Sequence, residues 1–199
     1  MTILETERLI LRHFEDDDME DVYHLLYADE EVKRSWSGAK GSAEEIKASF
    51  RHDHVHPEDD YGFRAIVLKH EGDLIGLMGY QRHLPEDGEG GIIDYLLSKD
   101  EPNREVGLNP DFTEVELTYA LGRPYWKKGY ASEMGKAMIP FGFEQLGIGR
   151  IIQGVSPSNP NSINLMKRLG FRIEEGIHPD VVVGILDDYE SWQAIYTPL

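Results

Sequence analysis

Apolar and polar positions along this chain change period repeatedly, and each change predicts an element. Arg8 to Phe14 (RLILRHF) alternates and predicts a first strand. Asp16 to Asp18 supply N-caps and dipole-matched charge to a helix. Its apolar face is Met19, Val22, Leu25 and Leu26, with Tyr23 beside them. Ser42 with Glu45 makes a capping box, and the helix it opens carries Ile46 and Phe50 and is ended by Pro57. Phe63 to Leu68 and Leu74 to Tyr80 read as a hairpin turning at Glu71-Gly72-Asp73. Gly76 and Gly79 inside its second strand mark a bulge or a close backbone approach. From about 84 to 112 the period is lost, and the stretch reads as a long loop insertion holding one short strand or helical turn.

The pattern sharpens again at Thr113. Glu114 to Leu121 alternates and predicts a strand, Gly122 to Gly129 predicts a turn, and from Tyr130 the spacing of Ala131, Met134 and Met138 is helical. That helix is expected to reach Leu146 and stop at Gly147, with a bend at the interior Pro140. Arg150 to Val155 is a short strand. Ser158-Asn159-Pro160 opens a helix with Ile163, Met166 and Leu169 on its core face; Gly170 ends it, and Phe171-Arg172-Ile173 begins a strand. Ser191 to Tyr196 reads as a closing strand. The order is strand, two helices, three strands, helix, strand, helix, two strands: an α/β (α+β) chain.

Composition narrows the function classes. The 199 residues suffice for a single domain with a full core, 1–199. Acidic side chains number 37 against 20 basic ones, for a net charge of −17. That excludes non-specific nucleic-acid binding and an anionic membrane surface, and suits a cationic substrate as well as plain solubility. With no cysteine there is no disulfide, thiolate nucleophile or Cys-held metal, which suits a reducing cytoplasm. The first residues are too charged for a secretory signal, and no apolar run approaches a membrane span.

Candidate chemistry centres on Thr113 to Glu133. A strand, a glycine-containing turn and a helix start hold anions well. The first helical N–H groups lack intrahelical partners, and the helix dipole favours negative charge there. Gly129 admits a phosphate to the backbone, and Arg123, Lys127 and Lys128 crowd the turn of an otherwise acidic chain.

Four segments together resemble the GNAT superfamily of N-acetyltransferases, in the branch similar to ribosomal-protein-alanine N-acetyltransferases. They are ETERLILR at Glu5–Arg12, ELTYAL at Glu116–Leu121, YWKKGYASE at Tyr125–Glu133, and Asn159-Pro160-Asn161-Ser162 followed by Lys167-Arg168-Leu169-Gly170-Phe171. The resemblance implies the GNAT fold: a mixed, mostly antiparallel twisted sheet of about seven strands, splayed between the fourth and fifth, with about four helices. It implies acetyl-CoA as co-substrate and no metal. Tyr119, Ala120 and Leu121 would pair with pantetheine amides, and Trp126, Lys127, Lys128, Gly129, Tyr130, Ala131 and Ser132 would hold the pyrophosphate. Lys127 stands where the branch has glycine, so ordinary backbone angles are expected there.

Direct transfer needs a base for the ammonium proton and a donor for the leaving thiolate. Glu116 matches the strand-four glutamate and is the candidate base; Glu114 shares its face and is the second choice, and also a candidate acceptor contact. Many relatives use a tyrosine as acid where Met166 stands here. Ser162 with Asn159 could serve the thiolate instead, or could simply cap the helix. Lys167 and Arg168 reach the 3′-phosphate or complement the helix C-terminus. Trp36, in the loop Ser35–Gly38, and the insertion are expected to wall the acceptor site. The acceptor is a protein N-terminal amine or a small cationic amine. A non-catalytic acyl-CoA-binding or sensing module and an assembly subunit whose insertion contacts a partner stay open as alternatives, and a homodimer stays open as the oligomeric state. His52, His54 and His56 have a spacing that suggests metal, but at the tail of a helix they read as solvated.

Overall fold

Eight strands and six α-helices form among the described residues of the computed structural model, which are 1–35, 41–55, 60–82, 96–100 and 113–196. The strands are β1 (Thr2–Glu5), β2 (Leu9–Arg12), β3 (Gly62–Leu68), β4 (Leu74–Arg82), β5 (Thr113–Leu121), β6 (Ile148–Val155), β7 (Arg172–Glu175) and β8 (Val182–Leu186). Their order is β1-β2-β3-β4-β5-β6-β8-β7. β5 and β6 run parallel, whereas β1–β2, β2–β3, β3–β4, β6–β8 and β7–β8 are antiparallel. The helices are α1 (Met19–Val22), α2 (Glu30–Ser35), α3 (Ala43–His54), α4 (Tyr130–Pro140), α5 (Pro160–Arg168) and α6 (Tyr189–Tyr196).

The chain divides into two compact units: Met1–Tyr80 with Thr118–Met138, and Gln81–Leu117 with Ile139–Leu199. In the first, β1 to β4 form successive antiparallel pairs. The core joins Phe14, Met19, Val22, Leu26, Ile46 and Phe50 to Phe63, Ala65 and Leu77. The expected capping box on α3 is formed: Ser42 Oγ accepts from Glu45 N at 3.3 Å, and Glu45 Oε2 accepts from Ser42 N at 2.8 Å. Both strand glycines mark close approaches. A Cβ on Gly79 would run into the Gly62 carbonyl, and one on Gly76 into the Ala120 carbonyl of β5. The β3–β4 register slips between Ile66 and Val67, beside Gly76.

In the second unit, β5 pairs with β6 only from Thr113↔Ile148 to Glu116↔Ile152. Leu96 and Leu97 pack with Ile152, Val183 and Ile185, and Ser98 bridges to Gly176. The insertion thus has one anchored stretch; 83–95 and 101–112 lie outside the described residues. Pro140 ends α4, and the chain continues as one π turn, Phe141–Gln145, with Leu146 N–H donating to the Phe141 carbonyl at 3.2 Å. A π turn is one way a helix absorbs a proline that cannot donate.

The eight strands and six helices fit the expected sheet of about seven strands with about four helices, with four differences. Thr2–Glu5 and Val182–Leu186 are additional strands, and Glu30–Ser35 is an additional helix. Ser191–Tyr196 is not a strand: it belongs to α6, begun by the Asp188 carboxylate accepting from Ser191 N–H at 2.9 Å. Tyr189, Trp192 and Tyr196 lie at helical spacing and stack in sequence at 5.8 and 5.1 Å, with Phe143 stacked on Tyr189 at 4.6 Å. A six-residue apolar window fits either period, and this aromatic row selects the helix.

Candidate functional site

The anion turn lies wholly in the first unit. β5 ends at Leu121, Gly122 N–H donates to the Ile75 carbonyl at 2.9 Å, and Arg123–Tyr125 make a single 3₁₀ turn. Trp126 is half-buried against the core, and its Nε1–H donates to the Leu121 carbonyl at 2.6 Å. The indole therefore pins the turn to the strand end. α4 begins when Glu133 N–H reaches the Gly129 carbonyl at 2.9 Å. The backbone amides of residues 127–132 make no protein hydrogen bond among the described residues. These are the orphan donors that an anion satisfies.

The backbone here departs from expectation. Lys127 has φ +60°, the left-handed region, and Gly129 has φ +86°. Lysine therefore holds the conformation for which glycine is the favoured residue. Left-handed residues thus stand on both sides of Lys128, the arrangement from which nests of amides are built. Lys127, Lys128 and Gly129 are exposed; Tyr130, Ala131 and Ser132 are half-buried. Lys128 Nζ sits over the Tyr125 ring at 5.6 Å. Arg123 is engaged elsewhere, its Nε 3.0 Å from Asp29 and its Nη1 3.7 Å from Glu31.

A cation that sequence reasoning missed takes its place. The tight turn between β1 and β2 presents Arg8, and Glu133 Oε2 accepts from Arg8 Nε at 2.6 Å. Glu133 Oε1 also accepts from Thr6 Oγ1 at 2.6 Å and from Arg8 N–H at 2.8 Å. Burial alone would raise the Glu133 carboxyl, but these donors and the guanidinium charge outweigh it and hold it below its ordinary value. Arg8 Nη1 donates to the Lys128 carbonyl at 3.1 Å, and its guanidinium carbon lies 4.5 Å from the centre of the Tyr130 ring. Thr6, Arg8 and Glu133 all stand in the quoted motifs, but no local pattern joins residues 125 apart.

Tyr119, Ala120 and Leu121 belong to this first unit, with Ala120 and Leu121 buried. Glu114, Glu116, Asn159, Ser162, Lys167 and Arg168 belong to the second. Glu116 is 8% exposed and in register with Ile152, so it is not a solvated strand carboxylate. Glu114 is buried too, its Oε2 3.5 Å from Arg150 Nη1, and Arg150 Nη2 is 3.3 Å from Asp187. The Arg150 pair gives Glu114 a role inside the sheet. Asn159 Oδ1 accepts from Ser162 N–H at 3.1 Å, so Asn159 caps α5. Lys167 and Arg168 are exposed in its last turn. Met166 is fully buried, and a Cβ on Gly184 would lie 2.5 Å from its sulfur.

Trp36 lies outside the described residues, as does His56. His52 is exposed beside Asp53 at 2.9 Å, while His54 is half-buried between Phe50 and Phe63, each ring 4.6 Å away. No group of metal-holding side chains occurs among the described residues.

Comparison with known proteins adds a family match and several relatives. A family model described as an acetyltransferase (GNAT) domain matches residues 8–172. The uncharacterized N-acetyltransferase p20 of Bacillus licheniformis is 29% identical over 197 residues, covering 96% of this chain and 89% of its own. The crystal structure of a GNAT-family acetyltransferase from Bacillus anthracis superposes with a TM-score of 0.69 at 22% identity, covering 95% of this chain and 99% of that one. A spermidine N-acetyltransferase from Vibrio cholerae, solved with CoA and spermine, superposes with a TM-score of 0.62 at 18% identity, covering 89% of this chain and 94% of that one.

Proposed function

The chain belongs to the GNAT acetyltransferase family, and from that membership we propose that it moves the acetyl group of acetyl-CoA directly to a primary amine. The observation that carries this reading is the row of amides at residues 127–132 with no protein hydrogen bond among the described residues, at the start of α4 beside Lys127 and Lys128. Acetyl-CoA supplies an activated thioester and a pyrophosphate that such a row accepts. Tyr119 to Leu121 offer backbone to the pantetheine amides, as an added strand would.

In the proposed reaction Glu116 takes one proton from the acceptor ammonium. The neutral amine then forms a bond to the acetyl carbonyl carbon while the carbon–sulfur bond breaks. The second amine proton passes to the departing thiolate, and Glu116 returns its own proton to solvent. The products are an amide and CoA thiol. Ser162 is assigned a hydrogen bond toward the sulfur. The acceptor is a small cationic amine or a protein N-terminal amine. The net charge of −17 suits either cationic acceptor, and the spermidine-acetylating structural neighbour favours the small amine.

A thiol-release assay tests this, with spermidine, other polyamines and N-terminal peptides as acceptors. Glu116→Gln should lower kcat by about 10²–10⁴-fold, the usual worth of a positioned base, and leave CoA binding intact. Turnover undiminished in that variant would remove Glu116 from the role. Turnover only on peptides would reassign the acceptor.

A further inference from the structure

The carbonyl of Lys128 and the N–H of Gly129 belong to one peptide unit. That unit is planar and trans, so its C=O and N–H point in opposite directions. Whatever holds the carbonyl therefore decides where the amide points. Arg8 Nη1 donates to this carbonyl at 3.1 Å. The following residue, Gly129, is a glycine at φ +86°, the kind of residue that lets a peptide unit rotate at little cost. Rotation of this unit changes the ψ of Lys128 and the φ of Gly129, and glycine tolerates that change, so the unit is free to turn unless something holds it.

Arg8 is held in turn. Glu133 binds its Nε at 2.6 Å and its backbone N–H at 2.8 Å, and the same carboxylate accepts from Thr6. The Tyr130 ring covers one face of the guanidinium. A fork is required for this job: one nitrogen on the carboxylate and another on the carbonyl. Lysine has a single charged nitrogen and cannot hold both at that geometry.

We propose that Arg8 is a positioning residue of the anion turn, locking the Lys128–Gly129 peptide so that the Gly129 N–H stays aimed at the bound pyrophosphate. This deepens the reading of the turn as the acetyl-CoA site and rests on it. Glu133 and Thr6 are the parts that hold the lock. Arg8 acts by orientation, so its charge alone does not replace it.

The test is calorimetric binding of CoA and of 3′-dephospho-CoA to the wild-type chain and to Arg8→Gln, Arg8→Lys and Glu133→Gln, with thermal melts of each. Wild-type chain that binds neither ligand would overturn the acetyl-CoA reading itself. If it binds, the lock predicts about a tenfold weaker dissociation constant for both ligands in both Arg8 variants. With activity in hand, the same factor should appear in KM for acetyl-CoA while kcat stays within about twofold. Glu133→Gln should fall between. Full affinity in Arg8→Lys would overturn the proposal in favour of simple charge. A loss confined to CoA would overturn it in favour of a contact to the 3′-phosphate. Affinity unchanged in Arg8→Gln, with only the melting temperature lowered, would reduce Arg8 to a structural ion pair.

Discussion

Lys127 and His54 each hold a state their residue type disfavours, and each yields a measurable consequence. A left-handed L-residue costs roughly 1–2 kcal/mol, partly offset in the reverse substitution by the unfolded-state entropy of glycine. Lys127→Gly is therefore expected to stabilise the protein by roughly 0.5–1 kcal/mol, seen as a rise of about 2 °C in melting temperature. No rise would mean that the turn does not hold Lys127 left-handed in solution. His54 is packed between two phenylalanines, and its Nδ1 has no partner among the described residues. Burial depresses its pKa to about 4, helped by Arg64 and opposed by Asp53. The unfolded imidazole titrates near 6.5, so between these values the unfolded chain binds more protons. Stability should fall as pH drops from about 6.5 to 4, by about 3 kcal/mol in total from this group. His54→Phe keeps the ring packing and should flatten that limb in denaturant titrations; an unchanged slope would remove His54 as its source.

At the scale of elements, boundaries follow local chemistry and identities follow packing. Ser42 and Glu45 stand three apart and cap α3 as their spacing predicts. Ser42→Ala should cost about 1 kcal/mol, with faster amide exchange in the first turn of α3. Gly170 ends α5 at φ +85°, as its position predicts, but its other role is visible only in the packed state. A Cβ there would lie 2.8 Å from Tyr196 and 2.9 Å from Trp192, both on α6. Gly170→Ala is therefore expected to lose about 2 kcal/mol in chemical denaturation. A loss below about 1 kcal/mol would mean that α6 shifts to make room. The same packing explains why Ser191–Tyr196 misleads as a sequence: Trp192 Nε1–H donates to the Leu169 carbonyl at 2.8 Å, a partner 23 residues away.

At the scale of the whole molecule, the net charge of −17 acts on whatever approaches. A negative field raises the local concentration of cations and is screened by salt. The KM for a polyamine acceptor should rise several-fold between low salt and about 0.5 M, while KM for a neutral amine barely moves. Parallel behaviour of the two would show that the charge serves solubility alone. The four quoted segments fall on the β1–β2 hairpin, β5, the anion turn and α5, and the family model spans them from residue 8 to 172. The family was legible because each segment is a local pattern, and their order is a property of the chain.

By itself the sequence determined the caps of α3 and α5, the hairpin turn, the glycine stop of α5 and the start of α4. All of these are set by residues within about four positions of one another, whose hydrogen bonds the backbone period dictates. Only the tertiary structure decided which cation serves the turn. Arg123, adjacent in sequence, pairs with Asp29, and Arg8 arrives from the β1–β2 hairpin to meet Glu133. It also decided that Glu114 is tied to Arg150 and that Glu116 is buried. It decided as well that Lys127 would stand left-handed where ordinary backbone angles were expected. The physical reason is common to these cases. Burial and ion pairing depend on which distant segments the sheet brings side by side, and no periodicity along the chain encodes that.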